Sequence, residues 1–398
     1  MKANISNQST NEKKPESPIN ISEQLSILHV VDSLEVGGLE RTVVRLAVAQ
    51  KKAGHIVSIA TVFRNGPLTE ALQNSDIPVQ CLEKRPGFDF KSVRKLRKIS
   101  KNKIDVVHTH NPVPHYYATL ATLGIKLHRI STRHDMGVHL KRKRMEDLYR
   151  LALKKTHAVV LVCDAARERF INESIVPENI ASVVYNGIEP TEARDRQGNE
   201  NKQLRQKLRL PETGPIIGSV GRLNQVKNYE TLINAFAILT RVSPETSLVI
   251  VGDGPERQSL QELIKTLGLE DRVKLLGERN DIDDLLAQFD VFALTSKTEG
   301  FSVALVEAAW AGLPIIATDV GGNREIVDHG TTGFLVQVGD SSGVAEKLKF
   351  LLTDREFHRI ASRMIRSKAE TNWSLESMAD NYLEIYKQAR NNEIRKRN

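Results

Sequence analysis

Cysteine is nearly absent: Cys81 and Cys163 stand far apart in 398 residues, with no metal-ligand neighbours. A disulfide framework and a zinc site are not indicated, and both cysteines are expected to be buried thiols. Long apolar runs are missing too. No stretch approaches the roughly 18 residues of a spanning helix, and the opening MKANISNQSTNEKKPESPIN lacks a hydrophobic signal core. The chain is therefore expected in the cytosol. Aromatics interleaved with bases, and any nucleic-acid module, are also lacking, so no nucleic-acid partner is expected. Acid is scarce only in the first half, where residues 1–190 carry 29 Lys+Arg against 19 Asp+Glu, while residues 191–398 carry 28 against 30. The excess gathers in KSVRKLRKISKNK (Lys91 to Lys103) and KRKR (Lys141 to Arg144). Two readings stand open: a solvated helix face, or attraction to an anionic membrane surface by a peripheral protein.

What is present is a soluble globular composition, 40% hydrophobic and 27% charged, on a chain long enough for two domains. Residues 1–24 are polar and punctuated by Pro15 and Pro18, which reads as a disordered lead-in. Strand-length apolar runs then alternate with helical spacing: SILHVV with LERTVVRLAVAQKKAG, HIVSIATV with PLTEALQNSD, DVVHTH with PHYYATLATLG, HAVVLVC with DAARERFINES. This βαβ pattern predicts an α/β parallel sheet over 25–190. A polar linker is expected over 191–207. The alternation restarts with PIIGSVG and predicts a second doubly wound, Rossmann-like domain over 208–372, so that a ligand would bind between facing loops. The amphipathic helix at 375–390, with Leu375, Met378, Tyr382 and Ile385 on one side, must pack on something, and either domain would serve.

Glu307 raises a problem of its own. It lies in SVALVEAAWAG, apolar or small all round, and burying a carboxylate without partners is costly. No base falls between Glu299 and Ala317, so its partner must come from far away in sequence or from a ligand, whose hydroxyl pair would suit it. Gly300, Phe301 and Ser302 precede its helix, and their amides would face phosphate or sugar oxygens from a positive helix terminus. Asp281–Asp284 (DIDD) imitates a metal-binding Asp-x-Asp, but Asp is an ordinary helix cap there. VGDGPE imitates a dinucleotide fingerprint and reads as a strand-to-helix turn. Glu325 needs no role beyond complementing a helix dipole.

The pair Glu299 and Glu307 in EGFSVALVEAAWAGLPIIATDVGGNREIV resembles the signature of the retaining glycosyltransferases of family four, bacterial polysaccharide or glycolipid type, which have the GT-B fold, and this resemblance implies that the C-terminal helix crosses back to the first domain. The resemblance extends over nearly the whole chain through VGGLER, DVVHTHNP, STRHD, VGRLNQVKN, VGDGPER, LGERNDI and TGFLV. It implies that Glu307 holds the ribose hydroxyls of a nucleotide-sugar and that Glu299 contacts the transferred sugar. Arg222 and Lys227 would neutralise the diphosphate without a metal. Gly37 and Gly38 would let backbone approach phosphate. His134 would reach the anomeric centre and acceptor region, with His110 a lesser candidate. Arg279 stands where backbone meets the base, so its side chain is expected to matter little. The implied reaction moves a hexose-type sugar from a UDP- or GDP-sugar to an acceptor hydroxyl, such as that of a lipid-linked sugar, with no cofactor. The leaving phosphate would take the acceptor's proton on the same face. The rivals are another GT-B enzyme, such as an epimerase or a phosphorylase, and an inactive or basic-surface scaffold at the membrane.

Overall fold

The computed structural model describes residues 24–137, 143–189, 205–207 and 213–395. All but the last residue of the expected lead-in, and most of the expected linker, lie outside the described residues.

The first unit runs β1 (Ser26–Ser33), α1 (Gly38–Lys52), β2 (Ile56–Arg64), α2 (Thr69–Gln73), β3 (Val79–Cys81), α3 (Phe90–Ser100), β4 (Val106–His110), α4 (Pro112–Ala121), β5 (His128–Arg133), α5 (Lys143–Leu153), β6 (Ala158–Leu161), α6 (Asp164–Asn172) and β7 (Ala181–Val183). Its seven strands are parallel, in the order β3-β2-β1-β4-β5-β6-β7. The second unit runs β8 (Ile216–Val220), α7 (Tyr229–Leu239), β9 (Ser247–Val251), α8 (Arg257–Thr266), β10 (Val273–Leu275), α9 (Ile282–Leu286), β11 (Val291–Leu294), α10 (Val303–Trp310), β12 (Ile315–Thr318), α11 (Asn323–Ile326), β13 (Gly333–Val336) and α12 (Ser341–Thr353). Its six strands, also parallel, are ordered β10-β9-β8-β11-β12-β13. This is the GT-B architecture.

SLVIV, VFAL and IIAT are buried at every residue, as strands covered by helices on both faces require. In each sheet the strand order reverses once, between β1 and β4 and between β8 and β11, and such a switch point opens a crevice at the carboxyl ends of the strands. The loops after these four strands carry Gly37 and Gly38, Asn111, Arg222 and Lys227, and Glu299. Topology alone therefore gathers most of the motifs singled out in the sequence.

Helix α13 (Arg355–Asn372) packs against α10, and the chain then crosses back through α14 (Leu375–Arg395). Leu375, Met378, Tyr382, Ile385 and Tyr386 are buried in one core with Ile27, Leu46, Val106 and Ile130 of the first unit. The two crossings are tied to each other where Ile188 N donates to Trp373 O at 3.0 Å and Leu375 N to Ile188 O at 2.8 Å. A Cβ on Gly187 would lie 2.1 Å from Ser374 O, so only glycine permits this approach.

Candidate active site

Helix α10 is apolar because it is enclosed by its own sheet and α13, and Glu307 is 7% exposed within it. Its partner is Arg45, on α1 of the first unit, whose Nη2 lies 3.1 Å from Glu307 Oε1. Burial pushes the Glu307 carboxyl up, against the pull of Arg45 and Arg41. The pair is only half complete. Arg45 Nη1 is buried with no hydrogen-bond partner among the described residues, and so is Ser302 Oγ at the start of α10. Sequence reasoning missed Arg45. The available signal was its place one helical turn after Arg41 on the helix that follows the glycine pair.

Lys227 Nζ lies 2.6 Å from Glu299 Oε1, which also accepts from Ser296 Oγ at 2.5 Å. The Lys227 loop is held from several sides. Leu223 N donates to Asp253 O, Glu256 N to Leu223 O, and Lys297 N to Val226 O, while Asn228 takes a left-handed φ of 51° to open α7. VGDG is the other half of this contact: a Cβ on Gly252 would lie 2.1 Å from Gly221 O, and one on Gly254 2.3 Å from Leu223 O. The turn thus fixes the loop that carries Arg222 and Lys227. Arg222 is exposed, and it draws down the Glu40 carboxyl that burial pushes up. Glu40 folds back so far that a Cβ on Gly37 would lie 2.3 Å from its Oε2. Around Gly37, then, the open space is filled by a carboxylate of the chain itself. A Cβ on Gly38 would lie 3.8 Å from Val303, so the amino ends of α1 and α10 adjoin across the cleft.

His134 follows β5, and its carbonyl lies so close to Gly300 that a Cβ there would sit 2.4 Å away. Its Nε2 lies 3.1 Å from His110 Nδ1. Burial holds the His134 imidazole down at about 4. His110, expected as a lesser candidate at the cleft, is instead 1% exposed beneath His134, because β4 lies in the middle of the sheet. Asn111, between them, has φ 72° and ψ 170°, a region that costs a non-glycine residue about 1–3 kcal/mol and clusters at functional sites. Its Oδ1 accepts from His134 N at 3.4 Å. The Asn-Pro step was its only trace in the sequence.

Other expectations resolve locally. Phe301 is a core residue, packed on Tyr185 and Trp373, with its carbonyl accepting from Asn186 Nδ2. Arg279 is engaged by both oxygens of Asp281, which also opens α9. Glu325 does complement a helix dipole, but that of α6 in the other unit, where it accepts from Asp164 N and Ala165 N at 2.9 Å each. Cys163 is buried as expected, whereas Cys81, on an edge strand, is only partly so.

Two family models match the chain, "Glycosyltransferase Family 4" over residues 36–192 and "Glycosyl transferases group 1" over residues 200–369. The chain is 31% identical over 311 residues to the N-acetyl-alpha-D-glucosaminyl L-malate synthase of Bacillus anthracis, covering 76% of this chain and 79% of that one. It is 30% identical over 341 residues to the UDP-Gal:alpha-D-GlcNAc-diphosphoundecaprenol alpha-1,3-galactosyltransferase of Escherichia coli, covering 81% and 86%. Among solved structures, Anabaena Alr3699/HepE in complex with UDP-glucose shares the fold with a TM-score of 0.83 at 24% identity, over 92% of this chain and 100% of that one.

Proposed function

The chain belongs to glycosyltransferase family 4, and from that premise we propose that it moves a hexose-type sugar from a UDP-sugar to an acceptor hydroxyl with retention at the anomeric carbon. The observation that carries the reading is the polar arrangement around α10: Glu299 on Lys227, Glu307 on Arg45 of the opposite unit, and Arg45 Nη1 and Ser302 Oγ buried without partners among the described residues. Buried polar atoms left open are anomalous in a core and expected in a binding site. A ribose diol would donate to Glu307 and accept from Arg45 Nη1. Displacing part of the Lys227–Glu299 pair would free the ammonium for the diphosphate and the carboxylate for a sugar hydroxyl. Lys227, Arg222 and the amino end of α10 would then stabilise charge on the departing nucleotide. A uridine donor fits the relatives, two of which carry UDP or a UDP-sugar in their descriptions.

The acceptor we propose is a lipid-linked sugar at a membrane surface. On the first unit α4 packs against α3 and α5, and these neighbours expose Phe88, Phe90, Leu120, Leu123, Leu148 and Leu151 beside the bases of Lys91–Lys103. Apolar side chains among bases suit an anionic bilayer better than a merely solvated face does. Of the KRKR cluster, Lys141 and Arg142 lie outside the described residues. No described helix is long and apolar enough to cross a membrane. The Bacillus relative's description names a small acid instead, which keeps a soluble acceptor as the second reading.

Thermal shift with UDP-, GDP- and ADP-sugars tests the donor: stabilisation by a UDP-sugar and not by the others is expected, and equal indifference to all would reject the reading. Turnover should also survive excess EDTA, because Arg222 and Lys227 supply the charge. Loss restored by Mn²⁺ would assign a metal after all.

A further inference from the structure

Beneath His134 the first sheet encloses an unusual polar seam. His29, His108 and His110 are fully buried, on β1 and β4, and one nitrogen from each lies within 4.8 Å of those from the other two. A metal ion could bind at such a spacing, but every one of the six nitrogens already has a partner. His134 Nε2 meets His110 Nδ1 at 3.1 Å, and His110 Nε2 meets His29 Nδ1 at 3.1 Å. His29 Nε2 meets Gln50 Oε1 at 2.8 Å, and Gln50 Nε2 donates to Tyr386 Oη at 3.3 Å. From there Tyr386 Oη meets His108 Nδ1 at 2.7 Å, His108 Nε2 meets Thr132 Oγ1 at 2.7 Å, and Thr132 Oγ1 meets Tyr382 Oη at 3.2 Å.

A neutral imidazole has one N–H and one lone pair, so a chain of them has a direction. The Gln50 carbonyl can only accept, hence His29 donates through Nε2 and must accept at Nδ1. His110 then donates through Nε2 and accepts at Nδ1, which obliges His134 to donate through Nε2. The proton of His134 is thereby committed inward, and its Nδ1, which has no partner among the described residues, keeps a lone pair. The neutral state is consistent with burial, which holds His29 at about 4 and His108 and His110 well below the usual range. On the other arm Tyr386, accepting from Gln50, donates to His108 Nδ1, and His108 donates through Nε2 to Thr132 Oγ1.

We propose that Gln50 is a positioning residue for transfer: through His29 and His110 it fixes His134 in its Nε2–H form, so that Nδ1 is presented as an acceptor to a sugar hydroxyl in the cleft. The proposal rests on the reading of His134 as a residue that meets the sugar, and it adds the device that sets its tautomer.

Nitrogen-15 spectra of histidine-labelled protein near neutral pH test the device without any substrate. Wild type should show His134 protonated at Nε2, and Gln50→Leu should lose that preference. Tyr382→Phe removes a buried hydroxyl from the far arm and leaves the Gln50 arm whole, so it should lower the melting temperature without changing the tautomer. In turnover, Gln50→Leu should lose roughly ten-fold, the worth of one good hydrogen bond, while Tyr382→Phe should not. Binding of UDP and UDP-glucose separates the sources of the hydroxyl. Weaker UDP-glucose with unchanged UDP places it on the transferred sugar, and unchanged binding of both with slower turnover places it on the acceptor. His134 found protonated at Nδ1 in wild type, one equivalent of tightly held zinc, or a Gln50→Leu variant with wild-type tautomer and rate would each overturn the proposal. If the tautomer behaves as described but His134→Ala leaves turnover intact, the seam stands and the assignment of His134 to the sugar falls.

Discussion

At the scale of single residues, Glu307 has Arg45 as its partner in the chain and, in the proposed reaction, a ribose as its second. Arg45 offsets its burial in part, and burial still wins, since the carboxyl is pushed up. A nucleotide would need the charge that the site resists. Glu307→Gln keeps an acceptor oxygen but loses the charge, and a hydrogen bond to a charged group is worth about 1.5–3 kcal/mol. Calorimetry with UDP should therefore show affinity falling roughly ten-fold or more, with the variant folded. Unchanged affinity would remove Glu307 from the ribose. Arg45→Ala should also weaken UDP, and the double variant should lose less than the sum, because the two residues share one contact. Additive losses would show that Arg45 meets the ligand independently of Glu307.

At the scale of elements, α6 takes its amino-terminal cap from the other half of the chain. Glu325 accepts the amides of Asp164 and Ala165, and Cys163, where a capping side chain would normally stand, supplies none. Glu325→Ala should lower stability by about 0.5–2 kcal/mol, the range for losing a cap. Hydrogen exchange should speed up at Asp164 and Ala165 ahead of the rest of α6. Uniform exchange with no loss of stability would mean that the contact is incidental. The basic and apolar face built by α3, α4 and α5 makes a separate prediction. Cosedimentation with anionic vesicles should exceed that with neutral ones, fall with salt as exposed charges are screened over about 8–10 Å, and fall when Phe88 and Phe90 become serine. Indifference to anionic vesicles at low salt would favour the soluble acceptor.

For the whole molecule, the buried imidazoles tie stability to pH. A group whose folded pKa is depressed stabilises above its unfolded value and loses that contribution as pH falls. For His29 and His134 the window runs from 6.5 down to about 4. Each would contribute about 2 kcal/mol of destabilisation near pH 5, with the shared seam making the sum less than additive. Glu307 and Glu40, raised by burial, act the other way, favouring the fold at low pH and losing that as pH rises. The histidines are more numerous and more deeply shifted, so the melting temperature should drop steadily between pH 6.5 and 5. A flat profile there would show that the imidazoles are hydrated or charged in the native state.

Local pattern determined a good deal by itself. Strand-length apolar runs alternating with helical spacing are set by side chains a few residues apart, so the two parallel sheets, the loops that carry Lys227, Glu299 and His134, and the apolar stripe of α14 were legible in the sequence. The buried carboxylate at 307 announced its need for a partner because nothing nearby could serve. What the tertiary structure decided were contacts across long separations. Arg45 meets Glu307 over 262 positions, Glu325 caps a helix 161 positions away, and Gln50 reaches Tyr386 over 336. No period or motif encodes such pairs. They exist because two sheets with switch points face each other and one helix crosses back, and that arrangement also turned His110 from a cleft residue into a buried link beneath His134.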